Sequence, residues 1–69
     1  MDICKELYYG WLVLAVLDEC CWTFECHKPG GNVYFDGKTY QTPEQAINAA
    51  REFVRRDTAE VALRQALYS

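Results

Sequence analysis

Tyr8-Tyr9-Gly10-Trp11-Leu12-Val13-Leu14-Ala15-Val16-Leu17, then Asp18-Glu19, then Cys20-Cys21-Trp22-Thr23-Phe24-Glu25-Cys26-His27-Lys28, is the stretch that decides the fold of this chain. The first run mixes Tyr, Trp, Val and Leu with no polar stripe at helical spacing. That suits a strand buried on both faces, with a buried helix as the alternative. The second run alternates: Trp22, Phe24 and Cys26 fall on one parity, Thr23, Glu25 and His27 on the other, as in a half-buried strand. A turn at Asp18-Glu19 sets Leu17 beside Cys20, Ala15 beside Trp22, Val13 beside Phe24 and Trp11 beside Cys26. One face of the pair is then wholly apolar or thiol, which is what selects a register.

Working outward from this hairpin, Pro29-Gly30-Gly31-Asn32 is the plainest turn in the chain, since Gly and Asn tolerate positive φ. It leads to a third strand. Continued antiparallel pairing places Val33 and Phe35 on the inner face with Cys26, and Tyr34 with His27 on the other. Asp36-Gly37 marks a bulge or a tight turn, after which Lys38 to Gln41 resumes an extended path and Tyr40 closes the edge of the core.

Thr42-Pro43-Glu44-Gln45 starts a helix, with a hydroxyl N-cap, a proline where no N–H is needed, an acid at the positive dipole end, and Gln45 completing a capping box. Ala46, Ile47, Ala50, Phe53 and Val54 share one side of that helix, and the alanines let it lie close to a sheet. Asp57 or Thr58 caps a second helix whose apolar residues are Val61, Ala62, Leu63, Ala66 and Leu67. The expected fold is therefore α+β: one domain spanning residues 1–69, a three-stranded antiparallel sheet packed by one helix, plus a C-terminal helix.

The order of strands and helix carries a resemblance. Trp22-Thr23-Phe24-Glu25-Cys26, a Pro-Gly turn, and Lys38-Thr39-Tyr40-Gln41-Thr42-Pro43-Glu44-Gln45-Ala46 followed by Ala49-Ala50 resemble a β-β-β-α pattern in small uncharacterised bacterial proteins, many of them cyanobacterial. The pattern is more weakly similar to the DNA-binding domain of plant ethylene-response factors, which also has a Trp-containing strand and a Thr-x-Glu-x-Ala helix start. The second likeness implies a sheet that reads DNA through arginine and tryptophan side chains. The three strands here contain no arginine, and their lysines are only Lys28 at a strand end and Lys38 beyond the third strand.

Composition narrows the classes. The chain has 69 residues, 51% hydrophobic and 25% charged, with a formal charge of -3. So short a chain buries only about 60% of the surface its unfolded form exposes, which leaves little room for a deep cleft. The acidic balance disfavours general binding to nucleic acid or anionic membranes. The apolar run from Leu7 to Leu17 falls short of the roughly 20 residues of a membrane span. The opening Asp2, Lys5 and Glu6, with Asp18-Glu19 before Cys20, fits neither a signal peptide nor a lipoprotein cysteine. A cytoplasmic location with reduced thiols is expected.

Several residues invite a chemical role. Cys20, Cys21, Cys26, His27 and Cys4 suggest a metal, but no Cys-x-x-Cys spacing occurs. Cys20 and Cys26 on one extended strand stand about 20 Å apart. No metal or other cofactor is expected, and Cys20 and Cys26 read as small buried hydrophobes. Cys21, outward near a turn, is the thiol expected to react; Cys4 is free in a flexible start or pairs with another chain. His27 has only Glu25 on its face and Tyr34 across the strand, on which it is expected to stack, so no catalytic constellation assembles. Pro29-Gly30-Gly31-Asn32 is too short for a phosphate loop and does not run from a strand into a helix. Arg51, Arg55 and Arg56 form a basic patch on the first helix, balanced by Glu52 before Arg56 and Glu60 before Arg64 at favourable spacing.

What remains to be explained is the second face of the first strand. With Trp11, Val13, Ala15 and Leu17 turned to the helix, Leu12, Leu14 and Val16 face away, joined by Cys21 and Tyr8. Such a patch is covered either by the second helix or by another chain. The chain therefore reads as a non-enzymatic interaction module, self-associating or docking on another protein, with a homodimer expected. A nucleic-acid-binding β-β-β-α domain is the alternative.

Overall fold

A computed structural model describes residues 3–68. The chain runs β1 (Ile3–Tyr8), β2 (Trp11–Asp18), β3 (Cys21–His27), β4 (Val33–Tyr34) and α1 (Pro43–Tyr68). The strands form one antiparallel sheet in chain order, β1-β2-β3-β4, with α1 across one face. The α+β class and the meander agree with the sequence. The strand count does not: among the described residues there are four strands, and β1 is the one the sequence conceals.

Two features concealed β1. Its turn is Tyr9-Gly10, and both residues have positive φ, 51° and 81°. This is the two-residue geometry whose twist matches a hairpin, usually signalled by Asn-Gly or Asp-Gly rather than by an aromatic residue. The strand's own alternation is also mixed: Cys4, Glu6 and Tyr8 share the face of Ala15, Val13 and Trp11, while Ile3, Lys5 and Leu7 share that of Val16, Leu14 and Leu12. Because the chain reverses at Gly10, Tyr8 pairs with Trp11 and lies on the helix side, half-buried against the core, rather than on the outer face.

The β2–β3 register differs from expectation by two residues. Asp18 pairs with Cys21, Ala15 with Phe24 and Val13 with Cys26, so the turn is Glu19-Cys20, with Glu19 at φ 57°. An offset of two preserves side-chain parity, and the expected faces survive. It does move Cys20 out of the strand, and this cysteine is exposed in the turn instead of buried.

At β4 the discrepancy is one residue, which inverts both faces. The Lys28 N–H donates to the Asn32 carbonyl at 2.8 Å and the Gly31 N–H to the Lys28 carbonyl at 3.0 Å, closing a loop centred on Gly30. Cys26 therefore pairs with Tyr34, and His27 with Val33. Tyr34 turns inward, its ring 5.8 Å from Trp11, while Val33 lies outward and Phe35 is 63% exposed. Beyond Asp36 the chain returns to β3, where Trp22 and Tyr40 exchange two backbone hydrogen bonds of 2.8 and 2.7 Å. Tyr40 closes the edge of the core, as the sequence suggested.

The helix begins as its sequence dictates. The Gln45 N–H donates to Thr42 Oγ1 at 3.2 Å, and Gln45 Oε1 reaches back to accept the Gln41 N–H at 3.1 Å. Ala46, Ile47, Ala50 and Val54 are buried against Trp11, Val13, Ala15, Phe24 and Cys26, with Phe53 half-buried beside them. Ala46 and Ala50 are both fully buried, so the helix axis lies near the sheet. Cys26 Sγ donates to the Ala50 carbonyl at 3.7 Å.

Among the described residues there is no second helix. No Gly or Pro follows Pro43, and the helix continues through Asp57, which pairs with Lys28 at 3.3 Å instead of capping a new element. At about 1.5 Å per residue, 26 residues extend about 39 Å. The eight residues of β2, the longest strand, reach only about 27 Å. From Thr58 to Leu67 every residue is exposed. The C-terminal segment therefore projects past the sheet and does not fold around it.

Candidate interaction surface

Since α1 occupies one face of the sheet and its last turns run on into solvent, the opposite face has no cover among the described residues. The pairings lay it out in rows. Leu7, Leu12 and His27 stand side by side, followed by Lys5, Leu14 and Glu25, then Ile3, Val16 and Thr23. Leu12, Leu14 and Val16 form a half-buried apolar spine along β2. Ile3 and Leu7, at 47% and 75% exposure, extend it onto β1, and Val33 at 40% adds to it beyond His27. Four of the five expected patch residues, Leu12, Leu14, Val16 and Cys21, are thus in place. Tyr8 is not, and the sequence missed Ile3 and Leu7 because nothing marked β1 as a strand.

Charges flank the spine on opposite sides. Glu25 Oε1 lies 3.2 Å from His27 Nε2, so His27 engages its own strand neighbour and does not stack on Tyr34, which is on the other face. Across Leu14, Lys5 has no ion-pair partner among the described residues. Asp18 and the half-buried Cys21 close the far end.

The thiols are separate. Cys4 is exposed on β1 rather than in a loose start, Cys26 is buried, and Cys20 Sγ lies 3.0 Å from Cys21 Sγ at the β2–β3 turn. The hydrogen bond with Cys20, followed by weaker effects that include the Asp18 and Glu19 carboxylates, raises the Cys21 pKa above the ordinary thiol value. A reactive thiol wants an electropositive setting, so this environment works against Cys21 as the reactive cysteine. Burial pushes the Cys26 thiol up to about 11. Among the described residues no group of three or more His, Cys, Asp or Glu is placed to hold a metal ion.

The three arginines do not make one patch. Arg51 donates to both Glu6 oxygens on β1, at 2.7 and 2.6 Å, and its guanidinium lies 5.9 Å from the Tyr8 ring. The hydrogen bond from Arg51 holds the Glu6 carboxyl below its usual range. Arg55 pairs with Glu52, the residue expected to pair with Arg56. Arg56 lies on another side of the helix, bordering a hollow with Asp36, Lys38 and Tyr40. There the Tyr40 hydroxyl donates to Asp36 Oδ2 at 2.5 Å, and burial together with that carboxylate pushes the phenol up to about 12. A tyrosine so hard to ionise is no general base at neutral pH.

Among the described residues no helix is long and apolar enough to cross a membrane. Compared with protein-family models, curated proteins and solved structures, the chain matches none.

Proposed function

We propose that this chain is a small non-enzymatic interaction module that self-associates through the outer face of its sheet. The observation that carries this is the unpartnered spine Leu12, Leu14 and Val16, continued by Ile3 and Leu7, on the face away from α1. Apolar surface contiguous over two neighbouring strands is a usual mark of an interaction site. A domain of this size also gains stability by burying more apolar area on association. The chemistry elsewhere favours binding over catalysis, because His27 is tied to Glu25 and stands between Leu12 and Val33, while Cys26 and Tyr40 are both held protonated.

Nucleic-acid binding, the alternative drawn from the resemblance to the plant domain, has less in its favour. Arg51 and Arg55 are neutralised by Glu6 and Glu52, the sheet presents no arginine, and the chain carries a charge of -3. Sedimentation equilibrium over a range of protein concentrations, in reductant to exclude disulfide-linked species, tests self-association. A reversible dimer is expected. A gel shift at low salt tests the alternative, and salt-sensitive complexes with DNA or RNA would revive it.

A further inference from the structure

The outer face carries one cation and one anion in a single row, Lys5 and Glu25, separated by Leu14. We propose that two copies of the chain stack their outer faces about a two-fold axis running along β2, so that Lys5 of each copy meets Glu25 of the other. This rests on the self-association proposed above and specifies its geometry.

The argument is one of symmetry and charge. A two-fold axis relating stacked faces must lie in the plane between them. If it runs along β2, each position keeps its level along the strands but changes side, so β1 of one copy lies over β3 of the other. Lys5, one strand to the left of Leu14, then lies over Glu25, one strand to its right, and symmetry makes two such pairs. Leu12, Leu14 and Val16 stack on their own copies at the centre, Ile3 lies over Thr23 and Leu7 over His27. An axis across the strands keeps each strand over itself, and Lys5 never reaches Glu25. With such an axis at the level of Leu14, two lysines face each other and two glutamates likewise. Like charges placed together in an interface count against that arrangement. Stacked sheets lie about 10 Å apart with strands about 30° off parallel, within reach of a lysine and a glutamate. Of the charged residues in these rows only Asp18 meets its own copy, at the strand ends where twist separates the sheets and water remains.

The assembly has four layers, helix, sheet, sheet and helix, with both projecting helix ends left outside. Three strands by about six residues give a footprint on the order of 300 Å². That is small beside the roughly 800 Å² per partner of a standard interface, so association is reversible and concentration-dependent.

A charge-swap cycle tests the geometry. Sedimentation equilibrium is measured in reductant for the native chain, Lys5→Glu, Glu25→Lys and the double variant, with circular dichroism confirming the fold of each. Lys5 is exposed, so Lys5→Glu leaves the monomer intact. Each single change creates two like-charge pairs per dimer and is expected to weaken dimerisation at least about tenfold, and the double change to restore it to within about threefold. If the native chain dimerises but the single variants match it, or the double variant stays as weak as the singles, this geometry is wrong while self-association stands. A native chain that is monomeric at every concentration up to about 0.5 mM overturns both.

Discussion

The Tyr34 ring lies 5.4 Å from the Phe53 ring, joining the shortest strand of the sheet to the middle of the helix. Phe53 also stands 6.1 Å from Phe24 and 6.3 Å from Trp11, so Tyr34 completes an aromatic cluster over the sheet. Phe35, its neighbour in the chain, takes no part and is largely exposed. Tyr34→Ala is expected to cost about 2 kcal/mol in urea denaturation, somewhat less than a fully buried aromatic. Phe35→Ala should change stability by no more than about 0.5 kcal/mol. The opposite ranking would mean that β4 pairs one residue out of register.

Thr42 and Gln45 secure the start of the helix by reciprocal hydrogen bonds, one to the Gln45 N–H and one from the Gln41 N–H. Thr42→Ala should lower stability by about 1 kcal/mol. Thr42→Ser, which keeps the hydroxyl, should recover most of that loss in the same thermal melt.

The Glu6–Arg51 pair ties the edge strand β1 to the helix, and it sets a pH dependence. Glu6 is more acidic folded than unfolded, so its contribution is present above the unfolded value near 4.5 and is lost as pH falls through the lower folded value. Glu6→Gln should therefore flatten the decline in melting temperature below about pH 4.5. An unaltered acid limb would mean that the pair does not persist in solution.

Cys26 is enclosed between the sheet and Ala50, and its thiol is pushed up to about 11. At pH 8 a disulfide reagent should label the exposed Cys4 and Cys20 at least a hundredfold faster than Cys26, which reacts as the thiolate only. The unfolded chain ionises this thiol first, so its contribution to stability should fall as pH rises above about 9. Fast native labelling of Cys26 would place it outside the core.

Where local chemistry and tertiary structure agreed, the sequence was sufficient. Thr42-Pro43-Glu44-Gln45 marks the helix start residue by residue, and the parity of Trp11, Val13, Ala15, Phe24 and Cys26 selects the buried face even with the turn one position early and the register two residues off. What was not legible depended on single-residue geometry. Tyr9-Gly10 turns a hairpin with an aromatic residue at positive φ, and the Lys28–Asn32 loop sets whether Tyr34 or Val33 turns inward. The second helix expected from Asp57 and Thr58 does not form because these cap-favouring residues are tolerated inside a helix that meets no Gly or Pro. The candidate surface was visible in part, because parity alone exposes Leu12, Leu14 and Val16. The complementary pair Lys5 and Glu25 required β1.

Sedimentation equilibrium of Leu14→Lys beside the native chain tests the central claim most directly. Leu14 lies at the middle of the outer face between Lys5 and Glu25, and α1 is on the other side of the sheet. An unpaired ammonium at an apolar interface costs several kcal/mol, whereas in the isolated subunit it reaches water. The expected result is a native dimer and a Leu14→Lys monomer that keeps its far-ultraviolet circular dichroism. A variant with the same solution mass and melting temperature as the native chain would contradict self-association through this face.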